Sequence, residues 1–154
     1  MKKYVATLPR KTPYPLAAIF YDDPGDLIDE NTMRVSAGFI VKVKNDGVDE
    51  YFKKLGYESK LLPSGKAVGV LFPIVCSWSV QFWVASFKSY PAMFNHIEGN
   101  QQKYIKMLSG QRTVCMEIYN IPMGKVNFYM PMEKAKEFYL TKAPEPKLKS
   151  IKET

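Results

Sequence analysis

The 21 residues between Lys66 and Lys88, AVGVLFPIVCSWSVQFWVASF, carry no charge. A bilayer span needs about 20 apolar residues, so this run has to be assigned first. Gly69, Pro73, Ser77, Ser79, Gln81 and Ser86 dilute its hydrophobicity, and Pro73 divides it in two. Before the proline, KAVGVLF reads as a buried strand. After it, Val75, Trp78, Phe82, Ala85, Met93 and Ile97 recur at near-helical spacing, and Lys88, Asn95, His96 and Glu98 continue the piece as a helix in water. The reading is strand then helix, with no membrane span.

A chain of 154 residues with 46% hydrophobic and 14% aromatic side chains fills one core without staples, and 11 prolines with 9 glycines suit a sheet with turns. Residues 16–21, 34–43, 113–120 and 125–132 read as strands, the last two joined at Pro122–Gly124. Asp46-Gly47 leads into a short helix from Val48 to Leu55, which Gly56 ends. Residues 57–62 and 66–72 are expected to form a hairpin around Pro63-Ser64-Gly65. Pro91 predicts a kink or break near Ser89-Tyr90 in the long helix from Val75 to Glu98. Glu133 to Tyr139 reads as a short helix. The expected class is α+β, one domain over residues 4–139 with a basic disordered tail over 140–154.

The net charge of +7 sits mainly on the ends, with Lys2, Lys3, Arg10 and Lys11 before residue 15 and six lysines after residue 132. The body between is nearly balanced, which argues against a nucleic-acid partner. One histidine, His96, and two cysteines, Cys76 and Cys115, offer no zinc set and no convincing cysteine nucleophile. The acidic loop from Asp22 to Glu30 lacks calcium-loop spacing, and no Gly-rich phosphate or dinucleotide loop occurs. No metal or cofactor is expected. The absence of a sequon and of an apolar signal core gives a cytoplasmic reading.

Glu117 stands out, mid-strand between Met116 and Ile118. Alternation puts Val114, Met116 and Ile118 on one face, expected under the helix, and Cys115, Glu117 and Tyr119 on the other. If that second face meets water, Glu117 is an ordinary solvated carboxylate. If it lines a pocket, a carboxylate among tyrosines and tryptophans suits a flat, apolar cation. Trp78, Phe82 and Trp83 are the helix's aromatic candidates, with core packing as the alternative. Residues 19–24 also lay over residues 117–122, each a strand ending in Tyr (Tyr21, Tyr119) with a proline following. This weak repeat suggests two related halves of strand, helix, strand, strand.

Ala18-Ile19-Phe20-Tyr21-Asp22-Asp23-Pro24, Arg34-Val35-Ser36-Ala37-Gly38, Val70-Leu71-Phe72-Pro73, Ser89-Tyr90-Pro91-Ala92, Met116-Glu117-Ile118-Tyr119 and Phe128-Tyr129-Met130-Pro131-Met132 occur in order over about three quarters of the chain. This set resembles the gyrase-inhibitor-like (GyrI-like) domain of the testis-expressed ER-phagy receptor family. The resemblance implies a duplicated strand-helix-strand-strand fold, GyrI-like or SOUL-like, an antiparallel sheet with helices on one face. It implies a cleft that binds small molecules, often planar cations, at a glutamate matching Glu117, with Tyr119, Tyr21, Trp78, Phe82 and Trp83 as ligand-binding neighbours. The function it implies is a non-catalytic small-molecule- or protein-binding adaptor domain at the endoplasmic reticulum surface. The alternative is a small-molecule hydrolase in which Glu117 activates water. Only 15 residues precede Leu16, fewer than the family's strand and helix need, so the first half is expected to be truncated: either Met1–Pro15 supplies a single strand from Tyr4 to Leu8, or that half is incomplete. No membrane anchor is expected before the domain and no modifier-binding motif in the tail, so the resemblance is expected to extend to the domain and not to the receptor activity. Aromatic-x-x-aliphatic sets occur at Phe52–Leu55, Phe72–Val75 and Phe94–Ile97, all within expected folded elements.

Overall fold

The structure, a computed structural model, describes residues 14–22, 27–41, 46–75, 78–100, 114–140 and 147. It is an α+β arrangement of five strands, β1 (Leu16–Phe20), β2 (Val35–Phe39), β3 (Ala67–Pro73), β4 (Cys115–Asn120) and β5 (Lys125–Pro131), with helices α1 (Asp46–Lys54) and α2 (Trp78–Glu98). The strand order is β2-β1-β4-β5-β3 and every pairing is antiparallel. β3, α2, β4 and β5 supply the expected strand, helix, strand, strand sequence. The expected strand from Tyr4 to Leu8 lies outside the described residues.

The uncharged run becomes β3 and the first half of α2. Among the described residues no helix is long and apolar enough to cross a membrane. The run is apolar because α2 lies on the sheet. Ala85, Met93 and Ile97 of the helix are buried with Val126, Phe128, Met130 and Met132, and Val68, Val70 and Phe72 of β3 pack against that cluster. Pro91 does not break α2, which continues to Glu98. The proline leaves the Phe87 carbonyl without its usual amide partner. Both residues are exposed, so water can replace the missing bond.

Two expectations are corrected. Residues 57–66 form no strand, and β3 pairs with β5 instead of with residues 57–62. β3 is an edge strand whose outer side β5 does not occupy, so the β3–β5 ladder does not displace residues 57–62. Instead Leu62 packs on the sheet beside Ile19, Val114 and Phe138, and the Lys60 ammonium donates to the Leu140 carbonyl at 3.0 Å.

The second correction concerns the faces of β4. Cys115, Glu117 and Tyr119 lie under α2, with Cys115 and Tyr119 packed against its core cluster. Val114 and Met116 belong to the opposite face. Both sets are apolar enough to be covered, and both are. Residues 57–62 and the 3-10 turn Ala135–Phe138 close the side that was expected to take the helix. α1 stands apart from α2. Its Val48 and Phe52 wall a cavity with Ala17, Ile19 and Ser36, whose register puts them on the face that α2 does not cover.

β1 and β4 are neighbours at the middle of the sheet. A two-fold axis relating adjacent antiparallel strands runs normal to the sheet and keeps each side chain on its own face. Tyr21 packs with the Ile19 cluster and Tyr119 with the α2 cluster. The laid-over repeat therefore does not match the two tyrosines in space.

Asp22 and Arg34 join the end of β1 to the start of β2. The guanidinium donates from Nε at 2.9 Å and Nη2 at 2.7 Å to the two carboxylate oxygens, and the Arg34 amide adds a third bond at 2.9 Å. Both side chains are buried, and the guanidinium lies 5.6 Å from the Tyr139 ring centroid. Of the expected tail, Leu140 is ordered, its amide donating to the Tyr21 hydroxyl at 3.2 Å. Lys147 accepts from the Ile28 amide. The remainder of the tail lies outside the described residues.

Candidate functional site

The β ladder fixes a transverse row of side chains on the α2 face: Ala37, Ala18, Glu117, Phe128 and Val70. One carboxylate interrupts four apolar residues. Glu117 is only 5% exposed, and an unpaired carboxylate at such a place is costly. No lysine or arginine among the described residues pairs with it. Two phenols satisfy it instead. The Tyr90 hydroxyl, from α2, donates to Oε1 at 2.5 Å. The Tyr119 hydroxyl, two residues along β4 and so on the same face, donates to Oε2.

These phenols are held as donors. Burial raises the pKa of Tyr90 and of Tyr119 above the ordinary phenol range, and the Glu117 charge and the hydrogen bond to it add to that rise. Ring contacts fix their aim. Tyr90 meets Phe128 edge-on at 5.5 Å, and Phe82 meets Tyr119 edge-on at 5.2 Å. Ser89, the residue before Tyr90, is buried with its hydroxyl unpaired among the described residues.

On its other side Glu117 borders Ala18 and, one strand further, Ala37, which is exposed. The adjoining rows carry larger residues there, Leu16 with Phe39 and Phe20 with Val35. Ala18 is itself buried and Ala37 exposed, so this row meets solvent at the edge strand, two strands from Glu117. The result is a buried carboxylate beside a row of small apolar residues, with tyrosine and phenylalanine rings around it.

Of the expected ligand neighbours, Tyr119 and Phe82 are in place. Tyr21 is on the opposite face, where its hydroxyl donates to Ser36 Oγ at 2.9 Å and its ring stacks on Tyr139 at 5.1 Å. Trp83 points out from α2, 70% exposed and stacked on Phe87. Trp78 opens α2, and its side chain lies outside the described residues. Tyr90 is the residue that sequence reasoning missed as a ligand neighbour. Its signal was its place eight residues after Phe82, two turns on along the same side of the helix.

The cavity beside α1 measures about 710 Å³ and includes Ala17, Ile19, Phe52 and Leu62 in its walls. Glu117 is not in its lining, but Ala37 and Phe39 of β2 are, so the cavity reaches the edge strand of the sheet. The described residues hold no group of three or more His, Cys, Asp or Glu able to bind a metal ion. No family model, curated protein or solved structure matches the chain.

Proposed function

We propose that the chain is a non-catalytic binding domain of the GyrI-like kind, whose site is Glu117 with Tyr90, Tyr119 and Phe82, and whose ligand is a flat aromatic cation. The observation that carries this reading is the buried carboxylate satisfied by neutral hydroxyls alone. Phenols fill lone pairs but leave the negative charge in place. A cation entering along the row from exposed Ala37 past Ala18 would meet that charge, with its ring against the aromatic side chains. The reading extends to an adaptor role in which such a ligand or a protein segment docks at this site, as the resemblance to the ER-phagy receptor domains implies. Both carboxylate oxygens are already engaged by phenols, which favours holding a ligand over activating a water molecule.

The test is a fluorescence titration of the 154-residue chain with 10-methylacridinium, beside neutral acridine at mildly alkaline pH. The expected result is saturable binding of the cation, at least about tenfold weaker binding of the neutral ring, and loss of that preference in Glu117→Gln. A thermal midpoint raised by the cation in the unsubstituted chain alone supports the same conclusion. Equal affinity for the two rings, or a preference that survives Glu117→Gln, refutes it.

A further inference from the structure

The outward face of α2 is apolar as well as the inward one. Val80, Trp83, Val84, Phe87 and Phe94 are exposed by 63%, 70%, 38%, 72% and 40%, and Pro91 is exposed with them. A helix that is apolar all round is normally covered on both sides. Among the described residues nothing covers this one, and Trp83 and Phe87 stack only on each other.

The spacing shows what fits. Val80, Trp83, Phe87, Pro91 and Phe94 lie at −7, −4, 0, +4 and +7 about Phe87. A stripe with that symmetry is its own complement when reversed. We propose that this face pairs with the same face of a second copy, the two α2 helices crossing antiparallel at Phe87. Trp83 then lies against the partner's Pro91 and Val80 against the partner's Phe94, large beside small at each place. The apolar positions recur at the three- and four-residue steps used by helices that pack at a shallow angle.

Size and charge agree with this. A large aromatic side chain offers about 150–250 Å². At the observed exposures the rings and valines leave on the order of 500 Å² open per copy. Two copies bury about 1,000 Å², where specific association begins. Lys88 is the only charged residue between Trp78 and Glu98. It sits at the border of the stripe, where its stem can lie along the seam with the ammonium in water. That near-neutral rim fits a second copy better than an anionic lipid surface, which calls for several basic residues around the apolar face.

The experiment is sedimentation velocity of the full chain from a few micromolar to a few hundred micromolar. The expected result is a concentration-dependent dimer, with Phe87→Glu at least about 100-fold weaker in self-association because it sets two like charges on the axis. Phe87 is exposed, so the thermal midpoint should stay unchanged. Phe87→Glu mixed with Phe87→Lys should associate again, as only a crossing at this residue predicts. Trp83→Glu is read in the same way should Phe87→Glu fold poorly. A monomer throughout the range overturns the proposal, as does a dimer that survives both glutamate variants. A chain that stays monomeric but pellets with phosphatidylcholine–phosphatidylserine vesicles overturns it in favour of a lipid surface.

Discussion

Tyr90→Phe removes one oxygen from the Glu117 cluster and leaves the ring against Phe128. The lost bond runs to a carboxylate that is 5% exposed. A hydrogen bond to a charged group contributes about 1.5–3 kcal/mol, and one to a neutral group about 0.5–1.5. The substitution should therefore cost about 1.5–3 kcal/mol in the unsubstituted chain. At about 2–4 °C per kcal/mol for a chain of this size, the midpoint falls by roughly 3–12 °C. In a Glu117→Gln background the same change should cost only about 1 kcal/mol, since the acceptor is then neutral. Urea unfolding of the four proteins, followed by circular dichroism, closes the cycle. A cost below about 0.5 kcal/mol in the unsubstituted chain, or equal costs in the two backgrounds, refutes the claim that this phenol holds the Glu117 charge.

Arg34→Ala leaves the buried Asp22 carboxylate with only the Arg34 amide of its three donors described here, so it should destabilise the chain by about 3–5 kcal/mol, while Asp22→Ala with Arg34→Met together should cost much less than the two single costs combined. Alkaline unfolding tests the phenols. Their pKa values are raised in the folded chain, so the stability they give is fully present below about pH 10 and is lost as pH climbs past it. The slope of stability against pH above that point should correspond to about two protons, and Tyr119→Phe should remove one of them. Gly124→Ala should cost more than 1 kcal/mol in a urea melt, because Gly124 has φ +57° and a methyl group there would stand 3.2 Å from the Ile74 carbonyl oxygen.

Strand β1, the β4–β5 pair and the stop after α1 were legible because each rests on local chemistry. β-branched and aromatic runs, the Pro122–Gly124 turn and Gly56, which adopts φ +84°, all act within a few residues. Alternation correctly grouped Glu117 with Cys115 and Tyr119. It could not tell which group lies under α2, because that depends on where distant segments pack. Leu62 and Phe138 cover the Met116 side from 54 and 22 residues away in sequence. The same limit applied to Tyr21, which follows β1 with its amide donating to the Arg34 carbonyl and its ring stacked on distant Tyr139. Phe82 and Trp83 are adjacent in sequence, yet one meets Tyr119 and the other faces outward. One residue turns a helix by about 100°, and the aromatic content of the run hid which direction pointed inward. The hairpin of residues 57–62 with 66–72 failed for a related reason. Its turn residues were suitable, but Leu62 packs with the Ile19 cluster, and burial against those distant residues was not visible in the local pattern.

The most direct measurement is an NMR titration of the isotope-labelled chain with 10-methylacridinium, following tyrosine rings, alanine methyls and isoleucine methyls together. The site proposed here predicts saturable shifts at Tyr90, Tyr119 and Ala18, with Ala17, Ile19, Ile40 and Tyr57 of the cavity unmoved. Shifts confined to Ala17, Ile19, Ile40 and Tyr57 would put the ligand in the cavity beside α1 and contradict the role assigned to Glu117.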